Sequence, residues 1–357
     1  MTVSPFDHPI QSGLLGDETA AKHFSFEAEL AAMLAFESAL AEAQAENGVI
    51  GRDTAKAIIA AIAGFQPDIA RLREATARDG MLVPELVRQL RKAVGDPHGE
   101  KVHFGATSQD VIDTSLVLRL KSLVAGLDAR LAKLDRQFGA LGEKFGGNTL
   151  MGVTRMQPAL PIRAADRIAV WQAPLRRHRD RLTHLSEDLF TVQFGGAVGT
   201  LEALGDKALP VRKSLAERLG LGDKPQWHSQ RDTLADFTGW LSLVTGSLGK
   251  FGQDVTLMAL DGRTIKLAGG GGSSAMPHKQ NPVQAETLVT LARFNAVQLS
   301  GMHQSLVHEL ERSGSAWTLE WLLLPQMAVA TAAALRTAID LATGIEKFGE
   351  TSLAGKA

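Results

Sequence analysis

The chain has 357 residues, enough for two or three folding units and a sizeable core, and its 38 Lys and Arg against 39 Asp and Glu leave a formal charge of −1. That balance provides no field for a polyanion, which disfavours nucleic-acid and membrane-surface functions, and the absence of cysteine removes disulfides, zinc ribbons, iron–sulfur clusters and thiol nucleophiles together. No basic stretch followed by an apolar run opens the chain, and the most apolar span, Trp321 to Leu335, is interrupted by Pro325 and Gln326, so a cytoplasmic protein without a signal peptide or membrane span is expected.

Helical spacing begins with Phe26, Leu30, Met33, Leu34 and Leu40, with glutamates on the opposite face and Gly48 as a stop. Shorter helical stretches follow as far as Val94, where Gly95-Asp96-Pro97-His98-Gly99 breaks the pattern. A boundary there predicts an N-terminal helical domain over 1–104 and a central bundle over 105–357. Five long stretches lie beyond it: Asp110 to Phe145, Pro161 to Leu189, Arg231 to Leu260, Pro282 to His308 and Thr318 to Ile345. Each exceeds the usual helix of about 11–12 residues, and long helices bury their stripes best side by side, so an all-α fold with an elongated bundle is predicted. Strand signals are nearly absent. The connectors are glycine-rich, notably Gly195 to Gly199 and Gly269 to Gly272.

Three strings carry chemistry. In Gly272-Ser273-Ser274-Ala275-Met276-Pro277-His278-Lys279-Gln280-Asn281-Pro282, glycines before two serines form a loop that brings hydroxyls close to a ligand. A phosphate-binding P-loop is excluded because His278 and Gln280 stand where Gly and Ser or Thr are needed. Asn281 and Pro282 read as a helix N-cap and first-turn proline, with Gln284 as capping partner. In His103-Phe104-Gly105-Ala106-Thr107-Ser108-Gln109-Asp110, Thr107 and Asp110 match a capping box, and a helix start with two hydroxyls is an anion site. The third string is Thr154-Arg155-Met156-Gln157-Pro158-Ala159.

The first string resembles the fumarase/aspartase superfamily signature, Gly-Ser-Ser-x-Met-Pro-x-Lys-x-Asn-Pro followed by Glu, here Glu286, at every fixed position. The second resembles that superfamily's Thr-Ser-x-Asp region, extended by Asp113 and Thr114. The resemblance implies a mostly helical tetramer with active sites built from three subunits, a mobile serine loop, and neither metal nor other cofactor. It places Ser273 on the catalytic serine, Lys279 and Asn281 on carboxylate-holding residues, and Thr107 and Ser108 on a carboxylate-binding helix start. The third string departs from the superfamily's Thr-His-x-Gln-x-Ala pattern, because Arg155 replaces a histidine that pairs with the glutamate at position 286. A guanidinium stays charged near neutral pH and cannot ferry protons, so Arg155 is expected to hold a carboxylate, of Glu286 or of the substrate.

Adenylosuccinate lyases share the Thr-Ser-x-Asp form but usually carry a second histidine where this chain has Arg78, in Thr76-Ala77-Arg78-Asp79. Two further strings, Trp227-His228-Ser229-Gln230-Arg231-Asp232 and Glu311-Arg312-Ser313-Gly314-Ser315-Ala316-Trp317, resemble instead the lactone-forming branch that cyclises 3-carboxy-cis,cis-muconate during protocatechuate breakdown through β-ketoadipate. That resemblance implies an intramolecular lyase acting on a small tricarboxylate, with Arg155, Gln157, Gln230, Arg231 and Arg312 as further binding residues beside the catalytic set Ser273, Lys279 and Glu286. The alternatives are a fumarate-releasing lyase of the adenylosuccinate type and a catalytically silent homologue. The superfamily's usual C-terminal helical domain is expected to be largely absent.

Overall fold

A computed structural model describes residues 3–272, 275–276 and 279–351. Two short helices, α1 (Ser12–Leu15) and α2 (Glu18–Lys22), precede four helices of the first region: α3 (Phe26–Glu46), α4 (Arg52–Ala63), α5 (Ile69–Asp79) and α6 (Val83–Val94). The long elements are α7 (Ser108–Phe145), α8 (Ala164–Leu189), α10 (Asp232–Leu260), α11 (Val283–Gln304) and α12 (Gly314–Thr343), with the shorter α9 (Ala208–Leu219) between α8 and α10. All five predicted long stretches are helical over most of their length. Two small antiparallel pairs were not foreseen, β1 (Thr149–Thr154) with β2 (Gln157–Arg163), and β3 (Ile265–Leu267) with β4 (Ile345–Phe348).

Apolar residues gather into two clusters. One joins α7, α8, α10, α11 and α12 through Leu131, Phe138, Trp171, Leu241, Phe251, Leu288 and Leu335. The other links α3, α4 and α6 to the first turns of α7, to Val192 and Phe194, to α9 and to Trp317. The first region therefore packs on one end of the bundle. Close approach of α10 to α11 depends on glycine: a Cβ at Gly252 would lie 2.5 Å from the Ala285 carbonyl oxygen, and one at Gly249 would lie 2.6 Å from Ala292 Cβ. The α12 helix is lined with small residues, among them Ala328, Ala330, Ala333, Ala334 and Ala338, all fully buried. By length and composition it could cross a membrane, but 72% of its apolar window is buried inside the protein.

The bundle has two distinct ends. Thr107, Arg231 and Ser313, the N-cap residues of α7, α10 and α12, share one of them. At the other, α7 runs into β1, α8 departs from β2, and Glu350 bridges to Thr149. Since α7 has 38 residues at 1.5 Å rise each, these ends stand about 55 Å apart.

Candidate active site

Asp110 organises the first end. Thr107 is the N-cap of α7, and Asp110 Oδ2 accepts the Thr107 amide N–H at 3.0 Å, the carboxylate half of the predicted capping box. The same carboxylate accepts from the Gly195 and Gly196 amides at 2.9 Å, from Gln193 Nε2 at 3.1 Å and from His228 Nε2 at 2.8 Å. A carboxylate only accepts, so His228 carries its proton on Nε2, and Nδ1 is buried without a partner among the described residues. Gly195 must lack a side chain here, because a Cβ would meet His228 Cε1 and Gln226 Cβ at 2.8 Å. One buried carboxylate thus ties the α7 start, the glycine connector and the His228 segment together, leaving Thr107 and Ser108 half-buried at the helix end.

Next to this hub, Gln109 Nε2 donates to Asp113 and to the His228 carbonyl, while its Oε1 accepts from Arg312 Nε at 2.9 Å. Arg312 Nη2 also donates to the Ala197 carbonyl, and Nη1 has no partner among the described residues. Arg312 is therefore held in place with one donor group available to a carboxylate. Gln230 is exposed, with a long 3.4 Å contact to the Gln226 carbonyl.

Arg231 departs from expectation. Its side chain is 1% exposed, and Nε, Nη1 and Nη2 are all engaged by Asp113 and Glu320 at 2.5–3.1 Å, with Trp317 Nε1 also on Asp113. Burial works against the Glu320 carboxylate, yet His308 and Arg231 hold its pKa below the ordinary value. A guanidinium saturated by two buried carboxylates has nothing left to offer a substrate, so Arg231 locks α10 to α7 and α12 instead.

The other end carries the remaining residues. Strands β1 and β2 pair Thr154 with Gln157, so the turn consists of Arg155 and Met156, both left-handed at φ 48° and 64°. Two positive φ angles in a two-residue loop define the type I′ hairpin, which fits strand twist but strains side chains other than glycine and asparagine. The strain presents Arg155 at an exposed tip, with Gln157 beside it; Met151, Val153, Met156 and Leu160 along the hairpin are also at least half exposed. Arg155 forms no ion pair with Glu286 in this chain, and neither side chain has a salt-bridge partner among the described residues.

Around the serine loop, Gly271 and Asn281 exchange both backbone hydrogen bonds at 2.9 Å and close its base. Lys279 is exposed within it, and Glu286 lies exposed in the first turn of α11. Ser273 lies outside the described residues. The predicted cap is corrected: α11 starts at Val283 with Pro282 as N-cap and no side-chain cap, because Asn281 is drawn into the bridge with Gly271. Pro161, expected to open a helix, belongs to β2 instead.

The expected site residues thus form two half-sites: Thr107, Ser108, Gln230 and Arg312 at one end, and Arg155, Gln157, Lys279, Asn281 and Glu286 at the other. The sequence reading overlooked Glu37, whose Oε1 lies 2.6 Å from His103 Nδ1, beside the α7 start. Its signal was available, since Glu37 occupies the stripe of Met33 and Leu40, where an acidic residue needs a buried partner.

A long-helix bundle with an anion-ready helix start at one end, and a cationic hairpin tip and lysine-bearing loop at the other, has the architecture of the helical lyases. Residues 15–342 match the lyase family, and the chain belongs to it, within the fumarase/aspartase superfamily. It is 42% identical over 331 residues to 3-carboxy-cis,cis-muconate cycloisomerase of Pseudomonas aeruginosa, covering 90% of this chain and 72% of that one. The crystal structure of 3-carboxy-cis,cis-muconate lactonizing enzyme from Pseudomonas putida superposes with a TM-score of 0.89 at 38% identity, covering 95% of this chain and 77% of the other. Adenylosuccinate lyase of Pyrococcus horikoshii is 32% identical over 360 residues, 98% of this chain and 78% of that enzyme. Members of the superfamily act on small carboxylates and are typically oligomeric.

Proposed function

We propose that this protein is a cofactor-independent cycloisomerase that closes 3-carboxy-cis,cis-muconate to carboxymuconolactone. The guanidinium at the hairpin tip carries this reading. Arg155 stands where lyases of the superfamily place a proton-handling histidine, and Arg78, at the other histidine position, is paired with Asp79 on α5. Guanidinium groups at both positions suit a substrate with three carboxylates and an enzyme that needs no histidine there.

The substrate supplies its own nucleophile. One carboxylate oxygen adds to a carbon of the double bond conjugated with another carboxylate; the C–O bond forms, the π pair moves onto the adjacent carbon, and charge spreads into the acceptor carboxylate. Lys279, Asn281 and the Thr107/Ser108 helix start surround that charge, while Arg155, Arg312, Gln157 and Gln230 hold the other carboxylates. Ser273, by its place in the signature, delivers the proton that converts the carbanion to a C–H bond, and Glu286 of a neighbouring copy orients the guanidinium of Arg155. Arg231 contributes through the rigidity of α10.

The two half-sites, about 55 Å apart in one chain, come together only between copies. A homotetramer with shared sites supplies that arrangement, and the apolar flank of the hairpin is suited to a neighbouring subunit. The tetramer works in the cytoplasm, in aromatic-acid breakdown, and its domains divide near residue 104.

The test is to incubate the protein with the carboxymuconate and, separately, with adenylosuccinate while following ultraviolet absorbance. Consumption of the carboxymuconate alone is expected. Release of fumarate from adenylosuccinate would replace this reading with the lyase alternative, and inertness toward both would leave a silent homologue. Full activity in excess chelator is also expected.

A further inference from the structure

The segment leading into the α7 start is clamped by the first region of the fold. Arg91 of α6 donates through Nε and Nη2 to the Val102 carbonyl, and Gln44 of α3 donates to the Phe104 carbonyl at 2.6 Å. Between them, His103 adopts a left-handed backbone at φ 64° and places Nδ1 2.6 Å from Oε1 of Glu37, which is 3% exposed. A strained conformation held by three separate anchors is usual where a side chain must point one way. With Nδ1 taken by Glu37, Nε2 remains without a protein partner among the described residues, four positions before Thr107.

We propose that His103 is a specificity residue of the site, an imidazolium whose Nε2–H holds one of the substrate carboxylates beside the Thr107/Ser108 helix start. The proposal rests on the tricarboxylate reading above. Glu37 keeps the ring charged. Burial alone would lower the His103 pKa, but the Glu37 carboxylate, with a smaller contribution from Asp110, outweighs it and the opposing Arg91, so the pKa is raised above the ordinary histidine value. These are the charged groups that face the ring: Glu37 from α3, Arg91 from α6 and Asp110 from α7, the last already bonded to His228. A neutral imidazole at this point could still hydrogen-bond, but it would lose the charge assistance that favours a carboxylate over a neutral group.

Two substitutions preserve the clamp and change only the charge. Glu37→Gln keeps an acceptor for Nδ1–H, and His103→Gln keeps a donor for Glu37. Steady-state kinetics with 3-carboxy-cis,cis-muconate across pH 6 to 9 are the readout. In the wild type, KM should rise on the alkaline side as His103 loses its proton, with kcat less affected. Glu37→Gln should move that rise to lower pH. His103→Gln should raise KM about 10- to 100-fold at neutral pH, the range for one charge-assisted hydrogen bond, and abolish the rise. Wild-type KM profiles in both variants would make the Glu37–His103 pair a structural clamp and overturn the proposal. Wild-type protein that leaves the carboxymuconate unchanged at every pH would overturn the substrate reading and this assignment with it.

Discussion

The two ends of the bundle are built on opposite principles. At the α7 start, Asp110, Asp113, Arg231 and Glu320 are at most 2% exposed, and their hydrogen bonds are closed within one chain. At the hairpin end, Arg155, Gln157, Lys279 and Glu286 are exposed and lack ion-pair partners among the described residues. The first end is completed by folding. The second is left open, and under the proposed shared sites its chemistry depends on assembly as well as on folding.

The sharpest way to break this contrast is at Arg231. Replacing it with alanine leaves Asp113 and Glu320 buried and unbalanced, and an expected loss of about 3–5 kcal/mol should lower the thermal midpoint strongly. A small change in melting would mean that the first end is far less closed than its geometry implies.

The bundle between the ends should be the acid-sensitive part. His178 Nε2 meets Ser247 Oγ at 2.8 Å and Nδ1 faces Arg181, and burial, then Arg181 and Arg177, push its pKa down to about 4. Between pH 6.5 and about 4 the unfolded chain therefore binds a proton that the folded chain refuses. Stability from this group is complete above pH 6.5 and falls as the pH drops through that window, by roughly 3 kcal/mol in all. Denaturant melts at pH 7 and pH 4.5 measure it; a His178→Gln variant should show a shallower pH dependence.

At the hairpin end the expected effect falls on kinetics alone. Arg155→Ala should reduce transition-state or substrate binding by about 1.5–3 kcal/mol, with the thermal midpoint unchanged and no limb lost from the pH–rate profile. A destabilised Arg155→Ala protein would place the arginine in the fold rather than in the site. The smallest signal is complementation: mixing the impaired Thr107→Val and Arg155→Ala proteins should raise activity above that of either alone, because some mixed assemblies contain a site with neither substitution. No gain after subunit exchange would show that each chain serves its own site.

The fold was legible where local periodicity governs. The long helices announce themselves because their apolar stripes run for many turns, and their limits fall within a few residues of the predicted ones except around Pro161 and the α11–α12 connector. The β1–β2 hairpin was hidden, since Arg155 and Met156 lack the glycine or asparagine that marks a type I′ turn, and Pro158 and Pro161 argue against a strand. Arg231 and Arg312 look alike in sequence. What separates them is pairing with Asp113 and Glu320, 118 and 89 residues away, and no local pattern encodes a partner at that range. For the same reason the Glu37–His103 pair, 66 residues apart, became visible only in three dimensions.

The alanine-lined α12 bears on how the chain is made. It is greasy enough to enter a bilayer, yet it leaves the ribosome after α7, α10 and α11, the long helices it packs among. A slot of matching shape is already translated when the segment most prone to misrouting emerges. Moving α12 ahead of its partners, as a circular permutation would, exposes it as a nascent chain with nowhere to dock, and lower soluble yield is the expected price of that reordering.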